Sequence, residues 1–210
     1  KAAELTLEQL REQLTSGYRE WRKKNPTHDD VDKTDDSDTE IEETVENRIP
    51  SIDEIEQQAL GGIQAAIDAM TPYEFQDLAA ALLRGMGYYT PFVAPAGKDG
   101  GVDIIAYRDP LGTSSPRIKV QIKHRESAAS VHEIRQLMGL LQKDGDVGIF
   151  ISAGGFTTDS KTTARGSHIH VELIDSPRFI ALWQEFYEKL TDEDKSLLPL
   201  RPVYFFAPSE

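Results

Sequence analysis

The sequence predicts an α/β sandwich, a central mixed sheet flanked by helices. Three observations carry this. Apolar stripes at helical spacing alternate with short strand-like runs from Thr71 to Leu190. One run, Val147-Gly148-Ile149-Phe150-Ile151, is apolar throughout, the mark of a strand buried on both faces. Two further strands, near 102–106 and 118–123, are joined by Asp109-Pro110-Leu111-Gly112-Thr113-Ser114-Ser115-Pro116, so turn-rich that a hairpin is the economical link.

Residues 3–24 read as an amphipathic helix with Leu5, Leu7, Leu10, Leu14, Tyr18 and Trp21 on one face. We assign 1–24 as an N-terminal helix, an oligomer contact or the end of a preceding domain. Residues 25–50 follow as an acidic flexible linker. From Asp29 to Glu46 there are ten acids and one Lys, too few apolar groups to bury. This stretch reads as a solvated tether, or as an acidic mimic of nucleic acid that shields the active face. The folded domain is assigned to 51–190. Ser51 with Glu54 opens one helix in capping-box register, and Gly61-Gly62 is expected to kink or split it. Thr71 and Pro72 open the next, with Phe75, Leu78, Leu82 and Leu83 inward and Gly87 at its end. A strand over Tyr88–Val93, the hairpin, a helix over Val131–Lys143, the buried strand, a helix over 157–165, a strand over His170–Ile174 and a helix over Pro177–Leu190 complete the order. That order gives a mixed sheet. Residues 191–210, with their prolines, are expected to form an extended arm packed on the domain or on a neighbour.

Composition bounds the chemistry. The 210 residues contain no Cys, which removes disulfides, thiolate nucleophiles and Cys-based zinc sites. No apolar run is long enough to cross a membrane and no secretory pattern is present, so a cytoplasmic protein is expected. Starting at Lys1, the chain reads as a fragment or a processed product. The net charge of −13 argues at first against nucleic acid, but its distribution does not. Residues 1–70 carry 8 Lys/Arg and 18 Asp/Glu, whereas residues 71–190 carry 13 and 14.

The hairpin holds the candidate chemistry. Strand side chains alternate faces, so Gln121 and Lys123 point one way and Ile118, Val120 and Ile122 the other. On the first strand Val102, Ile104 and Ala106 share a face, with Asp103 and Ile105 opposite. Apolar faces turned inward put Asp103, Gln121 and Lys123 on a common side. A carboxylate, an amide oxygen and an ammonium gathered there suit a divalent metal and a water directed at a phosphodiester. The same residues also read as solvated surface charge, and Gly100-Gly101 before the acid favours the first reading, because it suggests a close backbone approach or a bend there. Glu74, Gln76 and Asp77 lie in a helical first turn, as dipole-compensating polar groups or as reach into the site. Lys98, His124 and Arg125 are candidate phosphate contacts.

Between Thr71 and Leu190 the chain resembles the catalytic domain of Mrr-like restriction endonucleases, within the PD-(D/E)xK nuclease superfamily, in a QxK variant. The matching pieces are Phe75-Gln76-Asp77-Leu78 through Gly87-Tyr88, Asp99-Gly100-Gly101-Val102-Asp103, Val120-Gln121-Ile122-Lys123, Gly148-Ile149-Phe150-Ile151-Ser152 with Gly155-Phe156-Thr157, and Leu173-Ile174-Asp175. The resemblance implies a restriction-endonuclease-like three-layer sandwich and hydrolysis of double-stranded DNA with Mg²⁺, for which Mn²⁺ substitutes. It implies Asp103 and Gln121 as metal ligands and Lys123 as the residue that positions the attacking water and stabilises phosphate charge. Gln76 stands where many relatives have Glu, and His124 where they often have Arg. A homodimer or higher assembly, a missing N-terminal DNA-recognition domain or partner, and a restriction or anti-phage role are further expectations. The rival expectation is a DNA-binding or effector-associated module that kept the fold and lost the chemistry. A third is a nuclease held off by its N-terminal segment or by a partner.

Overall fold

The computed structural model describes residues 51–95, 97 and 101–203. The N-terminal helix, the acidic linker and Lys98 lie outside them. Helix α1 spans Ile52–Asp68 and α2 spans Pro72–Gly85; strands β1 (Tyr89–Val93), β2 (Ile104–Tyr107) and β3 (Arg117–Lys123) follow. Then come α3 (Val131–Leu140), β4 (Asp146–Ser152), α4 (Thr158–Gly166), β5 (Val171–Asp175), α5 (Ser176–Phe186), a 3₁₀ turn at Tyr187–Lys189, and α6 (Asp192–Leu197).

The sheet order is β1-β2-β3-β4-β5. β1, β2 and β3 are antiparallel neighbours, and β3, β4 and β5 run parallel. The two parallel steps are the ones bridged by helices, as parallel pairing requires. Alternation along the strands divides the core in two. Ile104, Val120, Ile122, Ile151 and Ile174 pack with Phe75, Leu78 and Leu82 of α2 and Phe179 and Trp183 of α5. Phe150 and Val171 pack with Ile134 and Leu137 of α3 and Ala164 of α4. Helices therefore cover both faces, in the three-layer arrangement the sequence predicts.

Local chemistry sets the boundaries. Ser51 and Thr71 each accept an N–H from the glutamate three residues on, and each glutamate carboxylate accepts the cap N–H in return. Asp109 ties the hairpin loop, accepting the N–H groups of Leu111, Thr113 and Ser114. These bonds hold its carboxyl far below the usual range, the Ser114 N–H most of all. Two expectations are corrected. Helix α1 runs unbroken through Gly61 and Gly62, because its buried contacts lie elsewhere on the helix and both glycines are exposed. The segment after Leu190 is not simply extended. Thr191 caps α6, Arg84 pairs with the buried Asp194, and the Trp183 indole N–H donates to the Leu198 carbonyl at 3.2 Å. Burial pushes the Asp194 carboxyl up, but the Arg84 and Thr191 hydrogen bonds and the Arg84 charge outweigh this and hold it below the usual range. Among the described residues no helix is long and apolar enough to cross a membrane.

A Cβ added at Gly61 or Gly62 meets no atom within 4 Å. The double variant Gly61→Ala, Gly62→Ala is expected to gain about 1–2 kcal/mol of stability, at roughly 0.5–1 kcal/mol per site. Urea unfolding checks this, and an unchanged or lower midpoint would show that the helix needs its glycines.

Candidate active site

β2 begins one residue after Asp103, not at it. The Asp103 N–H donates to the Val120 carbonyl at 2.9 Å, yet Val120 is already the register partner of Ile104. Two residues of one strand thus stand against one of the next, as at a bulge. Gly101, at φ +85°, permits the approach two residues earlier. The carboxylate is redirected by this bend. Its Oδ2 accepts the Ile122 N–H at 2.6 Å, taking a place a strand carbonyl would otherwise fill. Strict alternation from Ile105 does not describe it, because the bend precedes the strand.

Asp103 then lines a cavity of about 300 Å³ together with Gln76, Lys123, His124 and Arg125. Gln76 is buried, and its Nε2 donates to the Ala94 carbonyl at 2.7 Å, fixing the segment between β1 and the acid. Lys123 is half-buried, and among the described residues its ammonium has no ion pair or hydrogen bond. Gln121 is not in the cavity wall. It lies two residues before Lys123, buried, with Oε1 lacking a hydrogen-bond partner among the described residues. An orphaned buried amide oxygen costs about 1–3 kcal/mol, so it calls for a reason.

The other candidates sit differently. Glu74 is exposed and caps α2, and the Thr71 N–H and hydroxyl hold its carboxyl below the usual range. Asp77 lines a separate cleft with Arg84 and Asp194. The His124 Nε2–H donates to the Ile67 carbonyl at 2.9 Å, and the ring lies 4.8 Å from that of Phe75. Arg125 is paired with both oxygens of Glu133 at 2.8 Å. Burial pushes the Glu133 carboxyl up, but the Ser130 N–H and hydroxyl and the Arg125 guanidinium outweigh it and hold it below the usual range. The sequence carries no signal for the Ile122 N–H that holds Asp103, nor for the Ile67 carbonyl that seats His124.

The donor set fits a hard divalent cation sparingly. Asp103 offers a carboxylate and Gln121 an uncommitted amide oxygen. Among the described residues no group of three or more His, Cys, Asp or Glu gathers as a metal cluster. Water and a phosphate oxygen would have to supply the remaining positions.

No curated protein matches the chain. Among solved structures, the DNA modification-dependent restriction endonuclease AspBHI aligns with a TM-score of 0.50 at 16% identity, over 70% of this chain and 39% of that one. The MspJI restriction endonuclease in complex with a 27-mer oligonucleotide aligns with a TM-score of 0.49 at 21% identity, over 71% and 36%. A repair endonuclease from Pyrococcus abyssi aligns with a TM-score of 0.38 at 15% identity, over 51% and 48%. The chain thus spans less than two fifths of the length of AspBHI or MspJI. The AspBHI likeness places the three-layer sandwich among restriction-endonuclease folds. The restriction endonuclease family model Mrr_cat matches residues 67–183, from the end of α1 to α5 and over more than half of the sequence. The chain therefore belongs to the Mrr restriction endonuclease catalytic-domain family.

Proposed function

We propose that this domain hydrolyses phosphodiester bonds of double-stranded DNA with Mg²⁺ or Mn²⁺, as the catalytic part of a cytoplasmic restriction or anti-phage nuclease. The observation that carries the reading is the shared cavity of Asp103 and Lys123, backed by the orphaned oxygen of Gln121. In this reading Asp103 and Gln121 hold the metal, which supplies Lewis-acid stabilisation of charge on the phosphate. The Ile122 N–H fixes the rotamer of Asp103, so its carboxylate needs little reorganisation when substrate arrives. The Lys123 ammonium, without a counter-ion among the described residues, orients the attacking water and donates to the developing phosphate charge. Gln76 anchors the Ala94 carbonyl and faces the same cavity. Cutting both strands calls for two such sites, hence a homodimer or higher assembly. Target choice would rest with another domain or a partner.

The rival reading, a DNA-binding module without chemistry, draws on the amides at 76 and 121: among the described residues Asp103 is the one carboxylate in the cavity wall. Plasmid incubated with Mg²⁺ or Mn²⁺ separates the two. Methylated and unmethylated plasmid are both needed, since AspBHI is described as modification-dependent. The domain is expected to nick or linearise at least one of them, and intact plasmid throughout would favour the rival.

Asp103→Asn and Lys123→Met are each expected to lower the cleavage rate by about 10²–10³-fold or more while leaving the urea midpoint close to the parent's. A variant that cuts at the parental rate would remove that residue from the mechanism. Gln121→Met is expected to lose cleavage yet match the parent in stability, or exceed it by about 1 kcal/mol, because it deletes an unsatisfied buried oxygen. Clear destabilisation together with full activity would make Gln121 a structural residue.

A further inference from the structure

Among the described candidate phosphate contacts, Arg125 is engaged by Glu133 and His124 by Ile67. A different group is not engaged. Lys161 and Arg165 of α4 and Arg178 in the first turn of α5 line one cleft of about 490 Å³ along β5. All three are exposed, and none has a carboxylate partner among the described residues. Lys161 and Arg165 stand four apart on one helix, a like-charge spacing that is unfavourable unless an anion relieves it. His170, Glu172 and Asp175 complete the charged lining. The Asp175 carboxylate is already engaged, accepting the Arg178 N–H at 3.2 Å.

The cleft's position connects it to the site. Lys123 is the register partner of Ser152, and Ser152 of Asp175. Two strand spacings separate Lys123 from Asp175, about 10 Å across the sheet. That separation is well under one helical turn of DNA, about 34 Å, so a single duplex can meet both. The geometry points to the β5 cleft as a second phosphate-backbone site, which holds the DNA flanking the scissile bond through Lys161, Arg165 and Arg178. It rests on the DNA-cleaving reading above. The site supplies salt-dependent affinity and orientation, not base readout.

The test measures binding of a fluorescent 25-mer duplex to the whole chain without divalent metal, across a salt series. The variants are Lys161→Gln with Arg165→Gln, Glu172→Gln alone, and Arg108→Gln with Lys143→Gln as an exposed control pair outside the cleft. The cleft pair is expected to weaken binding and flatten the log–log salt slope by about 1.8, from about 0.9 per lost phosphate contact. Glu172→Gln is expected to tighten binding, which misfolding cannot mimic. The control pair is expected to change the slope little. A cleft pair that binds as the parent does, or a control pair with an equal loss, overturns the cleft assignment. If the parent binds and cuts DNA in those cases, the nuclease reading stands without it. A parent that fails to hold the duplex even at low salt overturns the cleft assignment, whereas plasmid left intact with Mg²⁺ and Mn²⁺ overturns the nuclease reading.

Discussion

The hydrogen bond from the Ile122 N–H to the Asp103 carboxylate organises the site. It joins the chain just before β2 to the end of β3, at the residue between Gln121 and Lys123. Main-chain anchors act beside it: the Ala94 N–H donates to the Asp103 carbonyl, and the Asp103 N–H donates to the Val120 carbonyl. With it, one oxygen is committed to the backbone and the carboxylate is pinned at the cavity wall. A charge-assisted bond to a buried N–H is among the stronger protein hydrogen bonds, contributing about 1.5–3 kcal/mol. The three-layer core serves this geometry. Val120 and Ile122 are held in the apolar layer under α2 and α5, so the N–H that Asp103 needs is itself rigid.

Electrostatic engagement is uneven across the domain. At the hairpin end Asp146 is bridged by Arg117 and Lys119, and beside the active site Arg125 is bridged by Glu133. Lys123 keeps its charge uncompensated by any described side chain, as a group that meets phosphate should. The cleft beside β5 repeats that condition with three cations. A chain of net charge −13 can thus still present positive sites locally, because its acids concentrate before residue 70 and its domain is close to neutral.

Most of the architecture was legible in the sequence. The continuous apolar run at 147–151 became the middle one of the three parallel strands, and the capping box at Ser51 and the cap at Thr71 appeared as read. What failed did so for local physical reasons. Glycines at 61 and 62 weaken a helix by propensity, but capping and the α1 packing through Ile67 hold it. Proline content after Leu190 concealed a short helix, because Asp194 gains a partner 110 residues away in Arg84. At the site, the pattern of residues 103, 121 and 123 named the hairpin, and Gly100-Gly101 pointed to a bend beside the acid, but strand alternation misplaced the Asp103 side chain. Alternation holds only inside a strand, and Asp103 stands before one. The pairing of Arg125 with Glu133 and the seating of His124 on Ile67 depend on tertiary packing, which spacing does not encode. The Lys161 and Arg165 spacing was visible, yet nothing in sequence joined it to Arg178.

The central claim is that a carboxylate and a neutral amide form an incomplete metal site that substrate phosphate completes. Calorimetric titration of Mg²⁺ into the Lys123→Met variant, with and without duplex DNA, tests it most directly, since that variant keeps both oxygen donors and leaves the DNA uncut. The account predicts weak Mg²⁺ binding alone and affinity at least about tenfold higher with DNA, by reciprocal coupling of the two ligands. Equally tight Mg²⁺ binding in the absence of DNA would contradict it.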